Sequence, residues 1–229
     1  MSDSRQPLHA QTTGYYAIVV AVFCGLLIIS NVAATKLFVV GGRIFDGGAF
    51  LFPLVYVVGD LLSEVYGLRA TRRAIFLGFA LCTLAALTFL VVQAMPPAPT
   101  WPNQEAFEAI LGFVPRIVFA SLAAFVCGQL LNAWVLVRIK LRTDEPRLWL
   151  RLIGSTIAGE ALDTLVFCTI AFYGVVTGKE FLNYLVTGFV LKVAVEVLVL
   201  PVTYRVVAWL KRHEPTYGRN LDETISVAV

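Results

Sequence analysis

The chain has 229 residues, 59% of them hydrophobic and only 14% charged, with a mean hydropathy of +0.80 and a formal net charge of +3. Soluble domains carry about 25% charged residues, so the composition excludes a soluble globular enzyme and predicts a polytopic integral membrane protein. The small positive excess sits in loops, which suits control of membrane topology and argues against a basic nucleic-acid interface.

Residues 1–13 read as a polar cytoplasmic tail. The apolar run that follows is too long for a signal-peptide core and lacks an Ala-x-Ala-like end, so it is read as a retained first helix. Six spans are expected, at about 15–40, 49–66, 74–95, 113–137, 149–176 and 181–210, each near or above the ~20 residues that a bilayer requires. The predicted architecture is an all-α integral membrane bundle, with one six-helix domain over 14–212 and a C-terminal cytoplasmic tail over 213–229. On span one, Ala17, Ala21 and Gly25 form a small-residue stripe at four-residue spacing. Such a stripe suits close helix packing, within the chain or against a partner helix or second copy.

Loop charges set the orientation. Arg69, Arg72 and Arg73 follow span two; Arg138, Lys140, Arg142, Arg147 and Arg151 surround the loop between spans four and five; Lys211, Arg212 and Arg219 follow span six. The positive-inside rule then puts both termini in the cytoplasm, with Lys36 and Arg43 in the first outer loop opposing weakly. The outer loop at 96–112 holds four prolines and then Asn103, an N-cap residue ahead of Glu105 and Glu108. A short interfacial helix is expected there.

Cys24, Cys82, Cys127 and Cys168 lie singly in apolar runs, and His9 and His213 lie near the termini. Neither set has metal-ligand spacing, so no metal site and no cofactor are expected.

The informative residues are the polar ones at membrane depth. The block Phe52-Pro-Leu-Val-Tyr-Val-Val-Gly-Asp-Leu-Leu-Ser-Glu-Val-Tyr-Gly67 puts Tyr56, Asp60 and Glu64 on one helical stripe. Span one brings Asn31, span four Gln129 and Asn132, span five Glu160 and Asp163 with Phe167 a turn beyond, and span six Lys192 and Glu196. An ionisable group inside a membrane costs about 2.5–3.5 kcal/mol on insertion scales and marks a functional site by default. Plainer readings stand beside this one. Lys192 and Glu196 could form an ion pair within one helix, Gln129 and Asn132 could be interhelical hydrogen-bond glue, and Glu64 could be a salt bridge at the inner interface. Taken together, the acids outnumber the cations and sit among amides and aromatics. Such a cavity suits a flat substrate rich in N–H donors, because a carboxylate accepts two parallel N–H bonds and aromatics stack on a ring. Acids desolvated in this way could also carry protons.

These residues resemble the queuosine precursor transporters, also called the vitamin uptake transporter family. The blocks are Ser30-Asn31 with Thr35-Lys36; Phe52-Pro53-Leu54-x-Tyr56 with Asp60 and Glu64-Val65-Tyr66-Gly67; Gly128-Gln129-x-x-Asn132; Gly154-Ser155 with Asp163-Thr164 and Phe167; and Lys192-x-x-x-Glu196 followed by Pro201-x-Thr203-Tyr204. The resemblance implies a multi-pass importer in the bacterial inner membrane, similar in fold to the substrate-binding subunits of energy-coupling-factor transporters. It implies a 7-deazaguanine cargo, the 7-cyano or 7-aminomethyl base, salvaged for queuosine in tRNA. On this reading Glu160 or Asp163 accepts from the pyrimidine edge, Asp60 or Glu64 is a second acid or proton carrier, Asn31, Gln129 and Asn132 orient the ring, Tyr56 and Phe167 stack, and Lys192 with Glu196 forms a charge network. Two alternatives compete. One is a binding subunit that needs an energising partner for another vitamin-like molecule; the chain has no Walker A motif of its own. The other is an intramembrane aspartyl protease using Asp60 and Asp163, which is disfavoured because Val57-Val58-Gly59-Asp60 lacks the first glycine of Gly-x-Gly-Asp. The expectation is a transporter and not an enzyme.

Overall fold

The structure, a computed structural model, describes residues 14–140 and 148–214. The expected tails over 1–13 and 215–229, and Arg142, Arg147 and Arg219, lie outside the described residues.

Helix α1, Tyr16–Ala33, ends seven residues before the expected boundary at Val40. The rest of that apolar run is not helical. Leu37–Val40 (β1) and Arg43–Asp46 (β2) pair antiparallel, with Val40 opposite Arg43. The turn between them is Gly41-Gly42, at φ 57° and 73°. Two successive positive φ values are easy only for glycine, and such a turn matches the twist of a hairpin. Phe38 stacks on Phe45 at 5.5 Å and on Phe50 at 5.3 Å, which packs the hairpin onto the 3-10 turn Gly47–Phe50 that follows.

Helix α2, Phe52–Gln93, covers the second and third expected spans in 42 residues. A straight helix of that length would run about 63 Å, twice the ~30 Å of hydrocarbon. It is not straight. Gly67 sits at φ 77°, ψ 169° and splits it into arms at 52–66 and 68–93. The Phe23 ring shows how sharp the break is. A Cβ on Gly59 would lie 3.9 Å from that ring, and one on Gly78 would lie 3.4 Å from its Cε1. In a continuous helix these glycines would stand about 28 Å apart. The arms therefore fold back on each other, and α1 packs against both.

Helix α3, Gln104–Leu111, is the short helix expected after the prolines. Asn103 holds the N-cap position, although its side chain makes no capping bond. Helices α4 (Val114–Lys140), α5 (Leu148–Phe172) and α6 (Gly178–His213) complete the chain. Among the described residues four helices are long and apolar enough to cross a membrane, and one small β-hairpin accompanies them, which makes this a helical membrane protein.

Each end of the bundle is tied by polar contacts. At one end Glu214, buried just past α6, accepts from the Tyr15 N–H at 3.0 Å and the Tyr66 hydroxyl at 2.6 Å. This brings the start of α1, the Gly67 break and the end of α6 together. At the other end Arg116 of α4 donates to the carbonyls of Ile170 and Tyr173 at 2.7 and 2.6 Å, closing the C-terminus of α5. Asn183 of α6 accepts from Ile44 N–H at 3.1 Å and donates to the Gly42 carbonyl at 3.0 Å, which docks the hairpin on α6.

The Gly67 conformation lies in a region essentially reserved for glycine, and nothing stands within 4 Å of where its Cβ would be. Gly67→Ala should therefore act through the backbone alone and cost about 1–3 kcal/mol. An earlier thermal midpoint of the detergent-purified protein is the expected result; an unchanged midpoint would mean that the break is not required.

Candidate functional site

The site starts from the spacing of residues on α5 and α6. On α5, Glu160, Asp163, Thr164, Phe167 and Cys168 recur at three- and four-residue steps, which keeps them on one face. On α6, Tyr184, Gly188, Leu191, Lys192 and Val195 do the same. These faces meet the end of β2 and the first arm of α2 around a cavity. Asp46 and Ala49 line it from the hairpin side, Tyr56 from α2, Thr164, Phe167 and Cys168 from α5, and Tyr184, Gly188, Leu191, Lys192 and Val195 from α6. The void totals about 460 Å³ with its open mouth, of which about 40 Å³ admits the centre of a water molecule. That inner space holds a few waters. A bicyclic base needs the walls to part further.

Lys192 organises the charges. Its ammonium is ion-paired with Asp163 and lies 3.8 Å from the Glu160 carboxylate, with these side chains only 13–21% exposed. The pairing therefore runs between α6 and α5. Glu196 lies on α6 a turn further on, and its side chain is outside the described ones.

Asp46 is the acid that the sequence reading missed. It is buried, with 7% exposure. Its Oδ1 accepts from the Gly48 N–H at 2.8 Å and its Oδ2 from the Tyr184 hydroxyl at 2.7 Å. Burial pushes its carboxyl above the ordinary carboxylate range; the Tyr184 and Gly48 hydrogen bonds and the Lys192 charge pull the other way without cancelling this. Gly48 has to be glycine here, since a Cβ would sit 2.8 Å from Asp46 Oδ1 and 3.0 Å from Ser30 Oγ. Signals for both residues were present in the chain. Gly41-Gly42 between β-branched and aromatic residues marks a hairpin, and Tyr184 lies two helical turns before Lys192.

Of the sequence-predicted site residues, Tyr56, Glu160, Asp163, Phe167 and Lys192 meet at this cavity or its charge cluster. The others lie elsewhere. Asn31 donates to the Leu27 carbonyl at 2.8 Å and to Cys82 Sγ at 3.8 Å, and accepts from Ser121 Oγ at 2.9 Å, so it joins α1 to α2 and α4. Asp60 is exposed on the first arm of α2. Glu64 is exposed and pairs with Lys211 at 3.2 Å, near the Glu214 end. Gln129 is exposed on α4. Asn132 packs where α4 crosses α5: a Cβ on Gly159 would lie 2.8 Å from Asn132 Cβ and 3.0 Å from the Gly128 carbonyl. Close backbone approach of this kind is what small residues permit in membranes. Nothing pairs Asp60 with Asp163 as an aspartyl dyad among the described residues: Asp163 is bound to Lys192, and Asp60 is exposed.

Removing one partner from a buried ion pair costs about 3–5 kcal/mol, because it leaves an uncompensated charge. Lys192→Met should lower the thermal midpoint strongly, and adding Asp163→Asn should restore part of the loss. Additive losses in the double variant would show that the two are not coupled.

Residues 46–206 match the profile of the family described as "Putative vitamin uptake transporter". A probable queuosine precursor transporter from Bacillus subtilis is 35% identical over 160 residues, 69% of each chain. The queuosine precursor transporter of Escherichia coli is 34% identical over 126 residues, and a probable one from Haemophilus influenzae 32% over 127 residues; each match covers 55% of this chain and about half of the relative, 54% and 51%. No solved structure matches the chain. With 161 of its 229 residues under the family profile, this multi-pass membrane protein belongs to the vitamin uptake transporter family, a family of transporters and not of enzymes.

Proposed function

We propose that the chain imports queuosine precursors, 7-deazaguanine bases of the 7-cyano or 7-aminomethyl type, across the bacterial inner membrane. The observation that carries this reading is the cavity itself. It combines the buried carboxylate of Asp46, the aromatic walls Tyr56 and Phe167, and a cation, Lys192, that pairs with Asp163 and approaches Glu160 beside the lining. A guanine-like edge presents parallel N–H donors that a carboxylate accepts in pairs, and its ring stacks on aromatics. The names of the relatives support the same cargo.

The topology that goes with this reading has six passages: α1, the two arms of α2, α4, α5 and α6. Glu214, Tyr15, Tyr66 and the Glu64–Lys211 pair gather at one end, the end that also carries Arg69, Arg72 and Arg73 just past Gly67. By the positive-inside rule this end is cytoplasmic, with both termini. The hairpin, α3 and the start of α6 then face outward, so cargo enters beside Asp46 and leaves past the Glu214 end. The first and last stretches, 1–13 and 213–229, are assigned to cytoplasmic tails.

A second reading, a binding subunit with an energising partner, draws on one observation. Ala17 and Ala21 are exposed on α1, and no atom stands within 4 Å of a Cβ on Gly25, so the small-residue stripe is turned outward. Accumulation of cargo by proteoliposomes containing this chain alone would exclude an obligatory partner.

The import reading is tested in a bacterium that lacks both its own deazaguanine synthesis and its own importer. Expression of this chain should restore queuosine in tRNA at submicromolar external base. Gly188→Leu should cut that restoration at least tenfold, because a Cβ fits at 3.6 Å from Thr164 Cγ2 but the rest of the side chain fills the cavity. Equal salvage with and without the chain would overturn the reading.

A further inference from the structure

The charges at the cavity do not balance. Among the described side chains, Asp46, Glu160 and Asp163 surround a single ammonium, Lys192. Three carboxylates against one cation leave an excess of two negative charges when all are ionised. Lys192 is committed to the α5 side, where it pairs with Asp163 and approaches Glu160. Asp46, on the hairpin side, is hydrogen-bonded by neutral donors, the Tyr184 hydroxyl and the Gly48 and Ala49 N–H groups, and feels Lys192 only through its charge, with no ion pair between them. Those bonds fix the carboxylate and still leave it acceptor capacity, since an ionised carboxylate offers about four lone-pair sites.

A second observation points to a ligand in the same place. Thr164 lines the cavity and is 2% exposed, yet its Oγ1 has no hydrogen-bond partner among the described residues. Buried hydroxyls are nearly always satisfied, and the cavity that Thr164 lines is a place for a partner. The same lining therefore holds a hydroxyl without a partner and a buried carboxylate without an ion pair.

We infer that the cavity selects cargo by charge, taking a flat base that carries an ammonium arm in preference to an uncharged analogue, with Asp46 receiving the ammonium and Thr164 hydrogen-bonding the ring. This rests on the proposed cargo class and narrows it to the aminomethyl-bearing base over the cyano-bearing one. The burial that raises the Asp46 carboxyl fits this assignment, because an arriving cation supplies the compensation that the protein withholds. It also gives Tyr184 a role as a positioning residue, since its hydroxyl aims the carboxylate.

The test is direct binding of 7-aminomethyl-7-deazaguanine and 7-cyano-7-deazaguanine to the full chain in nanodiscs. The wild-type protein should bind the aminomethyl base at least tenfold more tightly. In Asp46→Asn that ratio should fall to within threefold, whereas Thr164→Val should weaken both bases and leave the ratio intact. Equal affinities in the wild type, or a ratio that survives Asp46→Asn, would overturn charge selection while leaving the cargo class standing. Binding of neither base would overturn both. If Asp46→Asn does not fold, the wild-type ratio alone decides.

Discussion

The structure depends on one interaction above the rest, the ion pair that Lys192 of α6 makes with Asp163 of α5, with Glu160 close by. Charges at this depth in a bundle are tolerated only when compensated. A link between two helices has a consequence that a pair within one helix would lack: it fixes the facing surfaces of α5 and α6 against each other, and those surfaces are two walls of the cavity. The close approach of α4 to α5 at Gly128 and Gly159 braces the same helix from behind, since Asp163 Cβ would lie 2.9 Å from a Cβ on Gly128. Any larger residue at Gly128 would press on the residue that holds Lys192.

The third wall comes from an unexpected source. The hairpin Leu37–Asp46 docks on α6 through Asn183 and delivers Asp46 to Tyr184. Backbone that is not helical is tolerated at a membrane only where protein or water satisfies it. Here the strands satisfy each other and Asn183 satisfies the edge. The cavity thus has two helical walls, α5 and α6, and a third made by the hairpin. Entry of a bicyclic base into so small an inner volume requires these walls to part.

Much of this was legible in the chain. The apolar runs predicted α4, α5 and α6 to within a few residues, and Asn103 after the prolines predicted α3. The polar residues on α5 and α6 shared faces by simple helical spacing, and the structure places Phe167 and Lys192 in the cavity lining, with Asp163 and Glu160 beside Lys192. What spacing could not show is which faces turn toward each other. Asp60 and Glu64 looked like the centre of the site because two acids on one apolar helix are costly, yet of that stripe only Tyr56 lines the cavity, while Asp60 and Glu64 are exposed and Glu64 pairs with Lys211. Asn31 and Asn132 lie at helix contacts outside the cavity lining. Asp46 was hidden because Leu37 to Val40 resumes the hydropathy of α1 after only Thr35-Lys36, so the run read as one span, and the Gly41-Gly42 turn is the main sign of a hairpin. The reversal between 49–66 and 74–95 was expected from hydropathy and the arginines between them, but not that it is made at the single residue Gly67 inside one helical run, since hydropathy alone does not distinguish a break from a loop.

The proposed seat of the cargo is between the hairpin, α5 and α6, and not beside Asp60 and Glu64 of α2. Photolabelling with an azido derivative of the deazaguanine base, followed by peptide mapping, tests this most directly. The account predicts label on the segments around 46–56, 164–168 and 184–195, suppressed by excess unlabelled base. Label concentrated around Asp60 and Glu64, with those three segments clear, would contradict it.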